Sequence, residues 1–215
     1  MQHSSRIIAI VSIVMMVIGG VAQAESLTVA TFADPSAKTS DPLFTVVWPN
    51  GNSTGTVNGG WADGKGGLTL EIPLIGNSYT NAWFEMDELT IISTASIFGQ
   101  TFGQTGAGQI RFYEQGSSSN PLLVLDFDTA MVSQIAMGSN DFFANVTITG
   151  SVIPYALSDE VFSFGFANVM PLNGNINTKG FTATAAFTSS AVPEPATVAL
   201  LGLGTLTLFG KRFGK

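Results

Sequence analysis

Between residues 25 and 191, apolar side chains recur at every second position and hardly anywhere at every third or fourth. That spacing constrains the fold more than any other feature of the chain. Period two puts successive side chains on opposite faces of a strand, so one face is buried and the other wet. Leu68, Leu70, Ile72 and Leu74 alternate with Thr69, Glu71 and Pro73, and Pro73 marks a strand end or sheet edge. Ile110 and Phe112 alternate with Gln109, Arg111 and Tyr113. Leu123, Leu125 and Phe127 oppose Val124, Asp126 and Asp128. Residues 142–149, 161–168 (with Phe162, Phe164 and Phe166 on one face) and 181–187 continue the pattern. Residues 27–32, 43–48 and 83–92 are further strand candidates. Gly, Asn, Ser and Pro clusters at 49–52, 63–67, 116–121 and 173–175 turn the chain between these runs. Only 130–137 reads as a short helix. Nine or ten short strands with regular turn signals predict an all-β domain, an antiparallel β-sandwich of jelly-roll type. An up-and-down barrel is the alternative. The strand number and outward apolar band are too small for an outer-membrane barrel.

The two ends follow different rules. Arg6 precedes a nearly unbroken apolar run over 7–18, and Ala22-Gln23-Ala24 then supplies the small residues of a cleavage site. This is the pattern of a secretory signal peptide over 1–24, with cleavage set by Ala22 and Ala24. At the other end, Val192-Pro193-Glu194-Pro195 leads into an uncharged run over 198–210 and a basic tail containing Lys211, Arg212 and Lys215. As a helix, that run is roughly 20 Å long against a hydrocarbon core of about 30 Å. It suits transient insertion better than a permanent span, with the basic tail held in the cytoplasm. The two prolines keep the preceding segment extended, as a protease requires. The expected organisation is therefore a signal helix (1–24), a β domain (25–191) and a C-terminal segment with a short apolar transmembrane helix (192–215).

The last 24 residues closely resemble the PEP-CTERM sorting signal. The resemblance rests on Val192-Pro193-Glu194-Pro195, on Ala199-Leu200-Leu201-Gly202-Leu203-Gly204 and on Lys211-Arg212, in that order at the chain's end. The tail is less densely basic than in many members. The resemblance implies export through the Sec translocon, signal-peptidase cleavage and transient residence in the inner membrane. It also implies recognition by an exosortase, a membrane cysteine transpeptidase. Delivery to the cell surface or extracellular matrix of an exopolysaccharide-producing Gram-negative bacterium would follow.

Composition limits the chemistry of the β domain. The chain has no cysteine and one histidine, His3, which signal cleavage would remove. Disulfides, thiolate nucleophiles, histidine-based triads and zinc sites are thereby excluded from the mature domain. Residues 25–191 carry four cations, Lys38, Lys65, Arg111 and Lys179, against fourteen carboxylates, for a net charge of about −10. Nucleic acid is not expected as a partner of so acidic a surface.

Few candidate sites remain. Asp126 and Asp128 share a strand face and offer hard oxygen ligands suited to calcium; otherwise no cofactor is expected. Glu85 and Asp87 share another face, and two carboxylates about 5–10 Å apart suffice for glycoside hydrolysis without histidine. Trp61, set between glycines, is the best platform for stacking on a sugar ring, ahead of Trp48, Trp83, Tyr79 and Tyr113. Phe98-Gly99-Gln100-Thr101 is repeated at once as Phe102-Gly103-Gln104-Thr105. Two copies make no solenoid, so this reads as a flexible loop tip; the alternative is a protruding loop that touches a polymer. The leading expectation is a non-enzymatic structural or adhesive protein of the exopolysaccharide or biofilm matrix. The alternative is a carbohydrate-binding module or small glycoside hydrolase acting on extracellular polysaccharide.

Overall fold

The computed structural model describes residues 25–33, 42–51, 53–61, 67–140 and 144–193. Fourteen strands run through them, joined into one antiparallel hydrogen-bonded network. In order they are β1 (Leu27–Phe32), β2 (Phe44–Val47), β3 (Gly55–Trp61), β4 (Leu68–Ile72), β5 (Asn77–Met86), β6 (Leu89–Ile97) and β7 (Gln100–Thr105). Then come β8 (Gly108–Tyr113), β9 (Leu123–Phe127), β10 (Met131–Val132), β11 (Ala136–Asn140), β12 (Val146–Thr149), β13 (Leu157–Pro171) and β14 (Gly180–Pro193). Two single 3₁₀ turns, Pro73–Ile75 and Leu172–Gly174, are the helical elements among the described residues. The first begins at Pro73, where the missing N–H ends β4.

Two long strands tie the layers together. β14 pairs with β13 along one edge, while its other edge takes β2 at Gly180–Ala183 and β1 at Phe187–Ala191. β5 is shared in the same way: β4 pairs with its first half, and β3 and β8 flank its second half. The succession β14, β2, β3, β5, β4, β1 and back to β14 therefore closes on itself, giving a sandwich-like all-β body. β13 is bulged twice along its pairing with β14, beside Asp159 and beside Asn168. Both residues have φ near +50°, a region that Asp and Asn tolerate better than most residues.

Phenylalanines from both layers meet in the middle. Phe164 lies 4.9 Å from both Phe44 and Phe187 and 5.9 Å from Phe84, measured between ring centroids. Phe32 stacks on Phe187 at 5.5 Å, and Phe112 reaches the same ring at 4.9 Å. β1, β5 and β8 supply one side of this cluster and β2 and β13 the other, with β14 in common. Such tilted and edge-on pairs add about 0.5–1.5 kcal/mol each beyond their burial. Buried polar groups are matched: Ser189 donates to Ala30 O, Thr184 to Ala167 O, and the Glu160 carboxylate accepts the Ile148 N–H at 2.9 Å.

The structure corrects the sequence reading at several points. Residues 130–137 form no helix. They are the β10–β11 hairpin, whose turn is held by Ser133: its N–H donates to Ala136 O, and its hydroxyl accepts the Ile135 and Ala136 N–H groups. Pairing with β7 and β13 overrides the local preference. The run 83–92 is two strands, because β5 pairs with β8 and β6 with β3, and Asp87-Glu88 makes the change of partner. In 142–149, only Val146–Thr149 is strand among the described residues. β3 went unread because it is rich in glycine. At Gly59 a Cβ would lie 2.6 Å from the Phe44 ring, and at Gly60 (φ +120°) it would lie 2.7 Å from Phe84 O. These glycines mark close packing rather than a loop. Residues 98–105, read as a flexible loop, are the turn and second strand of the β6–β7 hairpin.

Ser26–Pro193 form one compact unit. Both of its ends leave at the same place, since Leu27 at the start of β1 pairs with Ala191 near the end of β14. The helices expected over 1–24 and 192–215 fall on residues outside the description, apart from Val192 and Pro193, which are strand. No helix among the described residues is long and apolar enough to cross a membrane.

Candidate functional site

The C-terminal motif starts inside the fold. Val192 is paired with Ser158, whose hydroxyl donates to Val192 O at 3.3 Å, and Pro193 is paired with Leu157. Both motif residues are half-buried. Pro193 has no N–H to give to the ladder, which suits the last position of a strand. Glu194, Pro195, Lys211, Arg212 and Lys215 lie outside the described residues, as do Ala22 and Ala24. An extended strand therefore delivers the chain directly into the Pro-Glu-Pro sequence.

The outer face of β5 and β8 carries the most developed polar cluster. Alternation sends Phe84, Met86, Ile110 and Phe112 inward and leaves Trp83, Glu85, Arg111 and Tyr113 outward. The register sets Trp83 opposite Tyr113 and Glu85 opposite Arg111. The two rings stack at 4.4 Å and 19°. Arg111 donates to Glu85 Oε1 at 3.1 Å and reaches Asp87 Oδ2 at 3.5 Å, and the Tyr113 hydroxyl donates to Glu85 Oε1 at 2.8 Å. Trp83 Nε1 donates to Glu114 O at 3.2 Å. Burial alone would lower the pKa of Arg111, but Glu85 and Asp87 outweigh it and hold it above its usual value. Tyr113 is also raised, by burial first and then by Glu85. The ion pairs are partly exposed, so each contributes about 0–1 kcal/mol. Glu85 and Asp87 are thus both bound to one guanidinium.

Tyr113 gives this cluster a pH signature. Its folded pKa lies above the ordinary 10.0, so as pH rises the tyrosine ionises first in the unfolded chain, and that ionisation favours unfolding. The corresponding stability is fully present below about pH 10 and is lost as pH rises through the folded value. Denaturant unfolding measured from pH 8 to 12 is expected to fall off less steeply for Tyr113→Phe than for the native chain. Equal slopes would show that Tyr113 ionisation is not linked to folding.

Asp126 and Asp128 sit at the end of β9, beside β8 and β12. Asp126 Oδ1 accepts from Gln109 Nε2 at 2.5 Å, and Asp128 accepts from the Asn145 amide. The two carboxylates share an open groove with Asp87, Gly108 and Thr147. No group of three or more His, Cys, Asp or Glu side chains placed to hold a metal occurs among the described residues.

The aromatic candidates are mostly absorbed by the fold. Trp48 is buried, donates through Nε1 to Ile176 O at 2.7 Å and packs near Phe181. Trp83 and Tyr113 are covered, at 8% and 4% exposure. Trp61 is half-buried, as the last residue of β3, opposite Phe84 and packed against the core. The exposed aromatics among the described residues are Tyr155 and Phe98.

Phe98 is the residue that sequence reasoning placed least well. It occupies the turn of the β6–β7 hairpin with φ +50°, next to Gly99 at φ +78°, and is fully exposed. Two positive φ values define the tight two-residue hairpin turn that normally takes Asn-Gly. The repeat is structurally unequal, for Phe102 is half-buried in β7 while Phe98 stands at the tip. Thr101, three residues past the tip, donates through its hydroxyl to Asn177 O at 2.9 Å and braces the hairpin. The available signal was the absence of any ionisable residue from 89 to 110.

Comparison with known families matches residues 191–212 to the PEP-CTERM protein-sorting motif. That match covers the end of β14 and the segment beyond it. The motif marks the chain as an exported, exosortase-processed protein bound for the cell surface or exterior. No curated protein and no solved structure matches the chain.

Proposed function

We propose that this PEP-CTERM-sorted chain serves as a non-enzymatic structural or adhesive component of an extracellular polysaccharide or biofilm matrix, with residues 25–191 as the working domain. The observation that carries the reading is the sorting motif itself, continuous with the last strand of the β body. Arg111 supports the non-enzymatic half of it. A glycosidase needs one carboxyl group free to donate a proton and a second free to attack or activate water. In this chain the Glu85 and Asp87 carboxylates instead neutralise one cation. Export proceeds through the Sec translocon and signal peptidase, with transient anchoring in the inner membrane by the segment after Pro195. Calcium at Asp126 and Asp128 and sugar stacking at Trp61 belong to the same proposal as secondary contacts with the matrix.

The test compares a deletion strain with strains complemented by the native chain and by the Glu85→Gln/Asp87→Asn double variant. The native chain is expected to co-fractionate with polysaccharide and to restore matrix cohesion, and the double variant to do so equally. Free native protein in the medium with unchanged cohesion would reject the matrix role. Polysaccharide cleavage that depends on Glu85 and Asp87 would establish the enzymatic alternative instead.

A further inference from the structure

The outer half of the β6–β7 hairpin has an unprotected edge. β6 pairs with β3 only through Leu89–Ile91, because β3 begins at Gly55, the partner of Ile91; the β6–β7 ladder is separately bulged at Ile92. From Ser93 to Ile97 its edge away from β7 has no strand beside it among the described residues. Ile92 and Ile97 are 59% and 51% exposed, and Phe98 is fully exposed. Proteins ordinarily guard such an edge with lysine, proline or an inward charge. Here the segment Ile91-Ile92-Ser93-Thr94-Ala95-Ser96-Ile97 contains none of these. It has the composition that favours strand addition: β-prone, uncharged and free of proline.

The occupant is defined by charge and hydrogen bonding. The domain is strongly acidic, so two copies repel one another over most of their surface. The stretch 89–110 is exempt, because it carries no ionisable residue. A lipid surface would cover Phe98 and the isoleucines but would leave the edge N–H and C=O groups unsatisfied. A second β6 edge satisfies both requirements. We propose that two copies of this chain join through the β6 edge, antiparallel and two-fold symmetric about Ala95. In that register Ile92 of each copy lies opposite Phe98 of the other, and Ser93 opposite Ile97. The inference requires no matrix role, only the hairpin.

The cysteine-free chain allows a direct test. A single cysteine is placed at Ala95, the position that faces itself across the two-fold axis, in the full chain, with Ser118→Cys on an exposed loop as the control, and the proteins are exported to an oxidising compartment. Residues directly opposed in an antiparallel pair have Cα atoms about 4.5–5.5 Å apart, within disulfide range. Ala95→Cys is expected to give a covalent dimer and Ser118→Cys a monomer. Adding Thr94→Lys and Ser96→Lys to Ala95→Cys is expected to abolish the dimer. As a second measurement, the native chain in mild detergent is expected to sediment as a dimer and Ser96→Lys as a monomer. Absence of a covalent dimer at Ala95, or equal dimer at Ser118, overturns the proposal. So does a native monomer whose binding to neutral phosphatidylcholine vesicles is lost on Phe98→Ser, which would assign the hairpin to a lipid surface.

Discussion

Alanine at Pro193, Glu194 and Pro195 together is expected to abolish C-terminal processing. The mature protein would keep its apolar run and basic tail and shift from the exterior to the membrane fraction. The reason is mechanical as well as chemical. β14 holds Val192 and Pro193 against β13, so the motif begins in extended backbone at the last ladder pair. Val192→Ala should have little effect, because backbone pairing and the Ser158 hydroxyl bond to its carbonyl hold Val192 in place. Intact mass of the protein from membrane, envelope and medium fractions decides the matter. A triple variant with the native mature mass would show that these residues do not direct cleavage.

Phe164→Ala is expected to cost about 3–5 kcal/mol, the range for deleting a buried ring. Its ring is fully buried and meets rings from β1, β2, β5 and β14, so the cavity would open between the two layers where neither can relax alone. Phe98→Asn should do the opposite in a single copy. There the ring buries nothing, and its left-handed backbone disfavours a bulky residue by roughly 1–3 kcal/mol. A modest gain in the stability of the dissociated monomer is expected. Urea unfolding of both variants checks the pair, and a large loss from Phe98→Asn would mean that the tip is packed in the working protein.

The alternation 123–127 and 161–168 could be read directly, because both strands keep one face on the phenylalanine core. Residues 130–137 could not, since what makes them strand is pairing with β7 and β13, distant in sequence. β3 was hidden for a related reason: Gly59 and Gly60 look like loop residues until Phe44 and Phe84 are seen crowding them. At the candidate site, Glu85 and Asp87 were legible as a shared face, but their common partner Arg111 lies on another strand and was not. Trp48, Trp83 and Tyr113 were recognisable as amphipathic. Which ones the fold would cover depends on contacts that no local pattern contains.

β14 also gives the molecule a polarity. Ala191, beside Leu27, marks the end where the chain enters and leaves. Gly180 marks the other end, and the adjoining turn carries Asn177, the brace of the β6–β7 hairpin. Eleven residues at about 3.3 Å apiece separate these poles by roughly 35 Å along the strand. Within the β body, the uncharged hairpin is therefore braced at the end of β14 remote from the domain's chain exit.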